Sequence, residues 1–380
     1  MVTTTLIILA VAGALDVIGE DHTPDAGRIE RLGLTARIDP SLRDRAIQQI
    51  AIRLKEMADA DKSRAQQMQS AFQEALLLVC DRDVIGTLSN ETIEAVDDAI
   101  ESTMSLDDLA RGGWDRLGYV YGFFNHDVTV KEIKRVADGW DAIPEDQREP
   151  HYPQYVHLID AVCKPLSIDG LQSDQETSAA LAIALPLLKS MLLQKPKPGR
   201  AFHPPSHAAL ILGPLYERWE RSEKHRLQLL EYLGDRQEFV ALMLGQLVGA
   251  RNDRMDLTDR DYAFYAYTGR YLANALARLN ARAALPALQH SLDVYQAKGV
   301  AASTTDYTRR SLIALGDESE RTQLEQGTPD HVISIAVWLA RNGQGETAAY
   351  GRRLLGDVLR CDPGEAIERH FRGRLATLGG

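Results

Sequence analysis

The sequence predicts an all-α protein: antiparallel helix pairs stacked as an irregular α-solenoid, with no significant sheet. Three observations predict it. Apolar residues recur at steps of three and four along most of the chain. Residues that open helices stand ahead of those stripes. Period-two alternation of useful length is missing, as are the β-branched and aromatic runs that strands favour.

The 380 residues exceed what one compact core holds, so two domains or one elongated array are expected. Hydrophobic residues at 44% and charged residues at 26% are ordinary for a folded chain and argue against disorder. The formal net charge of -11 repels phosphate backbones and argues against nucleic acid as a general partner; only a continuous Arg stripe on one face would favour a helical-repeat nucleic-acid binder. Arg352, Arg353, Arg360, Arg369, Arg372 and Arg374 read as a solvated helix face. Cys80, Cys163 and Cys361 allow one bridge at most, and Cys80, after an apolar run, reads as a small core residue.

Residues 1–16 come first. Leu6 to Leu15 is apolar and too short to span a bilayer, which takes roughly 20 apolar residues. It has the length of a signal-peptide core with a small-residue exit, but no basic residue precedes it. A signal peptide, an ordinary first helix and a buried strand are its three readings. The first implies an exported or periplasmic protein, the others a cytoplasmic one. No transmembrane segment is expected.

Residues 17–195 form the N-terminal helical region. Asp39-Pro40 opens a helix striped by Leu42, Ala46, Ile47, Ile50, Leu54 and Met57. Ser63 and Gln66 have the capping-box spacing ahead of Met68, Phe72, Leu76 and Val79. The link between these two helices is short, so they are expected to pack antiparallel. Ser89 caps Ile93, Val96 and Ile100. Ser105 starts a segment interrupted by Gly112-Gly113. Thr129 precedes Ile133, Val136 and Trp140. Helices resume over 156–162 and 177–193 beyond Pro144 and Pro150. Residues 196–205, with Pro196, Pro198, Gly199, Pro204 and Pro205, read as a linker.

Residues 206–380 form the C-terminal region. Here Tyr271-Leu-Ala-Asn-Ala-Leu-Ala-Arg-Leu279, a turn and Ala283-Ala-Leu-Pro-Ala-Leu-Gln-His-Ser-Leu292 resemble HEAT repeats. Ser311-Leu-Ile-Ala-Leu-Gly-Asp317 is similar to the end of the next repeat's first helix, and Ala336 to Arg341 to the start of a further one. The resemblance covers about the last third of the chain and implies stacked helix pairs. The residues themselves agree. Ala273, Ala275, Ala277, Ala283, Ala284 and Ala287 let helix axes approach, and the helix from Asp259 to Leu279 is apolar on two sides.

Signatures of phosphate loops, dinucleotide folds, zinc proteases, nucleophile elbows and EF-hands are absent, and no cofactor or metal is expected. His203 and His207 have ligand spacing, but with no third ligand nearby they read as capping or packing residues. Asp97, Asp98 and Glu101 loosely fit a diphosphate-binding acid motif, and Asp107-Asp108 lacks its third acid; both read as exposed helix faces. Asn90-Glu91-Thr92 is a formal sequon. The richest cluster runs from Arg251 through Asp253, Asp256, Asp259 and Asp261 to Tyr262, Phe264, Tyr265, Tyr267 and Tyr271. Its acids suit a first helical turn and its tyrosines suit gaps between layers. Arg251, Asp253, Asp256, Tyr262, Tyr267 and Tyr271 are the candidate binding residues.

The expected function is a non-enzymatic interaction scaffold or adaptor that takes a protein or peptide partner. The alternative is a hydrolase or lyase on a helical toroid with an acidic, tyrosine-lined pocket around 251–271. Against it, aromatic residues total only 6%, whereas sugar sites are aromatic-rich.

Overall fold

The structure is a computed structural model. The structure describes most of residues 41–360 and five positions between 29 and 36. It leaves out 1–28, 37–40, 81–86, 109–114, 125–127, 169–172, 195–203, 252–258, 328–331, 361–380 and scattered single positions or pairs. The signal-peptide reading of 1–16 therefore lies outside the described residues.

The fold is all-α, and no described residue lies in a strand. Its helices are α1 (Arg43–Ala60), α2 (Lys62–Leu77), α3 (Asn90–Thr103), α4 (Asp115–Phe124), α5 (Val130–Asp141), α6 (Tyr152–Ile168), α7 (Asp174–Leu192) and α8 (Pro204–Trp219). There follow α9 (Arg226–Leu233), α10 (Arg236–Arg251), α11 (Asp259–Arg278), α12 (Leu285–Ala297), α13 (Ala302–Ala314), α14 (Glu318–Glu325) and α15 (Glu346–Arg360). No helix among the described residues is long and apolar enough to cross a membrane.

Local chemistry explains where many of these helices start. The Ser89 hydroxyl accepts from the Thr92 amide at 3.2 Å. Thr129 and Glu132 close a reciprocal box, the Thr129 amide donating to Glu132 at 2.8 Å and the Glu132 amide to the Thr129 hydroxyl at 3.2 Å. Ser173 caps α7 and Asp317 caps α14. Two expected starts move. α1 begins at Arg43, just after Ser41 and Leu42, rather than at Asp39-Pro40. α2 is opened by Asp61, whose carboxylate accepts from the amides of Ser63 and Arg64 at 3.0 and 3.2 Å. Asp61 stands two residues closer to the end of α1, so it reaches the free amides before Ser63 can cap a later turn.

The chain divides into two compact units. The first comprises 1–136, 153–171 and 372–380; the second comprises 137–152 and 172–371. In the first unit, α1 packs on α2 and α3, and α4 packs on α2 and α3. Ile47, Ile50, Leu54, Phe72, Leu76, Val96, Ile100, Leu117, Val120 and Phe124 are buried there. Burying each such side chain contributes about 1.5–3 kcal/mol. α4 approaches α6 at Gly122, where an added Cβ would stand 2.7 Å from the Asp160 carbonyl oxygen. On α6, Lys164 and Asp160 form a buried ion pair at 3.5 Å.

In the second unit, α7 packs on α8, α8 on α11, and α11 on α13, one helix beside the next. α9 packs on α7, α10 on α11, and α12 on α13. α11 is thus flanked by α8, α10 and α13, and it also touches α12. Small residues permit this crowding. An added Cβ on Gly213 of α8 would stand 3.0 Å from Ala275 Cβ on α11. Arg278 of α11 pairs with Glu217 of α8 at 3.0 Å. Pro204 and Pro205, read from sequence as the end of a linker, form the first turn of α8 and are buried. Proline fits there because its missing amide would have had no partner. Among the described residues no disulfide joins Cys80 and Cys163, of which Cys163 is buried and Cys80 half-buried.

Candidate functional site

The most unusual grouping of described side chains lies where α11 and α13 run together. α11 contributes Arg270, Tyr271 and Asn274; α13 contributes Tyr307, Arg310 and Ser311. Residues 270 and 274 are one turn apart, as are 307 and 311, so each helix presents its set on one face. Trp338 and His207 complete the group, His207 coming from α8.

The base of the group is polar and closed. Asn274 and Ser311 are buried. The Arg310 Nε–H donates to Asn274 Oδ1 at 3.1 Å, and the Ser311 hydroxyl lies 3.3 Å from the same oxygen. The Ser311 hydroxyl also donates to the Tyr307 carbonyl at 2.8 Å. These bonds hold the plane of the Arg310 guanidinium.

Above the base, cations and rings alternate. The Arg310 guanidinium carbon sits 3.8 Å from the centre of the Tyr307 ring and 4.8 Å from that of Trp338. Arg270 lies 4.4 Å from the Tyr271 ring and 5.1 Å from the Tyr307 ring. Its Nη2 donates to the Tyr271 hydroxyl at 2.7 Å. Tyr271 meets His207 edge-on at 5.9 Å and Tyr307 edge-on at 6.1 Å. Each cation–π contact is worth about 0.5–1 kcal/mol at an exposed site and about 2 kcal/mol once desolvated. Arg270, Tyr271, Tyr307, Arg310 and Trp338 are all half-buried, so the ladder has an open side.

The electrostatics follow from this packing. Burial pulls the Arg310 pKa down to about 10; the electron-rich Tyr307 and Tyr271, with Asp306, pull the other way, and Arg270 adds repulsion. Arg310 stays a cation at neutral pH. Two guanidinium groups therefore share one tyrosine ring, although the chain as a whole carries -11. Such a group binds planar and anionic partners well. It is poorly suited to moving protons, since guanidinium stays protonated near neutrality.

Of the residues singled out in the sequence, Tyr271 belongs to this group. Asp253 and Asp256 lie outside the described residues, as do the side chains of Arg251, Tyr262 and Tyr267. Arg251 is the last residue of α10, and Tyr262 and Tyr267 belong to α11. The structure adds Arg270, Asn274, Tyr307, Arg310 and Trp338, and His207, read from sequence as a capping or packing residue, packs against Tyr271. The spacing of Tyr307 and Arg310 on one helix was the one local signal for the second half. Asp97 is buried rather than exposed, whereas Asp98 and Glu101 lie exposed as expected, Glu101 accepting from the Tyr121 hydroxyl at 2.7 Å.

No family model, no curated protein and no solved structure matches the chain. Among the described residues, no group of three or more His, Cys, Asp or Glu side chains is placed to hold a metal ion.

Proposed function

We propose that this protein is a non-enzymatic interaction scaffold, an irregular HEAT-like stack of helices that takes a protein or peptide partner on the face formed by α11 and α13. One observation carries the proposal: the half-buried ladder of Arg270, Tyr271, Tyr307, Arg310 and Trp338. Tyr, Trp and Arg dominate the energetic centres of protein interfaces because each offers a large contact area together with a polar tip. Here they are fixed by one another and by Asn274 rather than left to rotate, so binding would cost little further ordering. The order α8, α11, α13 supports a layered stack, in which neighbouring helices display such a row side by side.

The test is a selection of random displayed peptides on the purified full chain. Enriched peptides should bind the wild type and lose at least tenfold in affinity on Tyr307→Ala, with the helical circular dichroism of that variant unchanged. An enriched pool that binds Tyr307→Ala equally well, or no enrichment over an unrelated helical protein, would refute the proposal.

A further inference from the structure

We infer that this face recognises a carboxylate set beside an aromatic or aliphatic group, with Arg310 as the carboxylate receptor. The inference rests on the interaction reading above and names the chemistry of the ligand.

A guanidinium offers five N–H groups in a rigid plane. Nε is committed to Asn274 Oδ1 at 3.1 Å. Nη1 and Nη2 donate to no described residue, and Arg310 forms no ion pair with a carboxylate among the described residues. The nearest acid along its own helix is Asp306, one turn back, which moderates the charge from a distance. Arg310 keeps a minor part of its surface open to solvent while its guanidinium is deeply buried, so its hydration is weakened. A cation held in this condition gains more from an anionic partner than one on an open surface does.

Geometry selects the kind of anion. With Nε used, the two remaining nitrogens present an end-on pair of parallel donors, which matches the two oxygens of one carboxylate. Tyr307 covers one face of that plane at 3.8 Å and Trp338 stands at 4.8 Å, so the carboxylate approaches along an aromatic wall. Whatever carries the carboxylate then rests against rings, which favours an apolar or aromatic neighbour. Arg270, 5.1 Å from the Tyr307 ring, adds a second positive charge nearby.

Overall charge selects against more highly charged ligands. A chain at -11 repels polyanions over the distance of a Debye length, and the repulsion grows with ligand charge. A single carboxylate meets the least of this repulsion and still matches the Nη edge of Arg310. In a peptide it comes from the C-terminus or from an Asp or Glu side chain next to an apolar residue.

The test is titration calorimetry on the full chain with three small probes: 3-phenylpropionate, its neutral amide and inorganic phosphate. The acid should bind at least tenfold more tightly than the amide and more tightly than phosphate. Arg310→Gln should reduce binding of the acid to the level of the amide, and Arg310→Lys should leave an intermediate affinity because a point charge replaces the fork. If Arg310→Gln does not melt like the wild type, Arg310→Lys and Trp338→Leu carry the comparison, both expected to weaken the acid more than the amide. Equal binding of acid and amide, tighter binding of phosphate, or an Arg310 change without effect in a folded variant would each overturn the inference. Two dipeptides locate the source: acetyl-Ala-Phe with a free C-terminus, and acetyl-Glu-Phe amide. Binding of either supports the inference, and binding of neither overturns it. Displayed peptides that depend on Tyr307 but ignore Arg310→Gln would overturn the carboxylate alone and leave the interaction reading standing.

Discussion

Gly122→Ala is the sharpest test of the packing in the first unit. In an unconstrained helix the change stabilises by about 1 kcal/mol, because glycine loses more backbone entropy on folding. At Gly122 the new methyl group would meet the Asp160 carbonyl oxygen at 2.7 Å, Lys164 Cβ at 2.9 Å and the Ala161 carbonyl oxygen at 3.1 Å. Two of these are backbone atoms of α6, which yield only if the whole helix moves. Overpacking of this kind costs about 1–3 kcal/mol, and backbone obstacles put it at the upper end. The net effect is a loss of about 1–2 kcal/mol. At about 2–4 °C per kcal/mol, melting should fall by about 2–8 °C. The control is Gly245→Ala on an exposed position of α10, where an added Cβ meets nothing within 4 Å. That change should raise stability by about 0.5–1 kcal/mol. Urea denaturation followed by far-ultraviolet circular dichroism reads both. A Gly122→Ala protein as stable as the wild type, beside a stabilised Gly245→Ala, would refute the close approach of α4 and α6.

Two other perturbations probe buried charge. Lys164→Met removes the cation beside Asp160 in a site where both side chains are almost fully buried, and should cost about 3–5 kcal/mol by urea denaturation. Lys164→Met combined with Asp160→Leu should recover most of that loss; a double variant no better than the single one would refute the pairing. His225 is buried, with its ring edge-on to Trp219 at 4.6 Å and Nδ1 3.2 Å from the Ser178 hydroxyl. Burial holds its pKa below the usual 6.5, with Lys224 and Arg218 acting in the same direction and Asp174 and Gln228 against. The fold therefore prefers neutral His225. Its contribution to stability is complete above about pH 6.5 and is lost as pH falls through the depressed value. Thermal melts from pH 7 to pH 5 should show a steeper decline for the wild type than for His225→Gln, and equal slopes would refute this.

Some helix starts were legible in the sequence where a capping side chain stood just ahead of an apolar stripe. Ser89 and Thr129 opened α3 and α5 as their spacing implied. Ser63 did not open α2, because Asp61 competes for the same free amides and the pattern alone does not say which acceptor arrives first. Pro204 and Pro205 show the same ambiguity. Proline marks a break and also suits a first helical turn, so a Pro-rich stretch conceals a helix start. Of the site, Tyr271 stood out because tyrosines cluster around it. Arg270 and Arg310 did not, because what sets them apart is that both face Tyr307, and that meeting depends on the register of α11 against α13. Register between helices forty positions apart is set by packing, not by local spacing.

Prolines stand inside α6, α7 and α8, at Pro165, Pro186 and Pro214. Each forgoes one ladder bond in the finished helix. Their effect before folding is protective. From Ala179 to Leu188 the chain carries ten residues without a charge, the kind of stretch that associates edge to edge between unfolded copies. Pro186 stands within it and lacks the amide that a growing strand ladder requires, and Pro214 does the same for Ala208 to Tyr216. Pro186 and Pro214 thus interrupt two long uncharged stretches against strand pairing before neighbouring helices cover them.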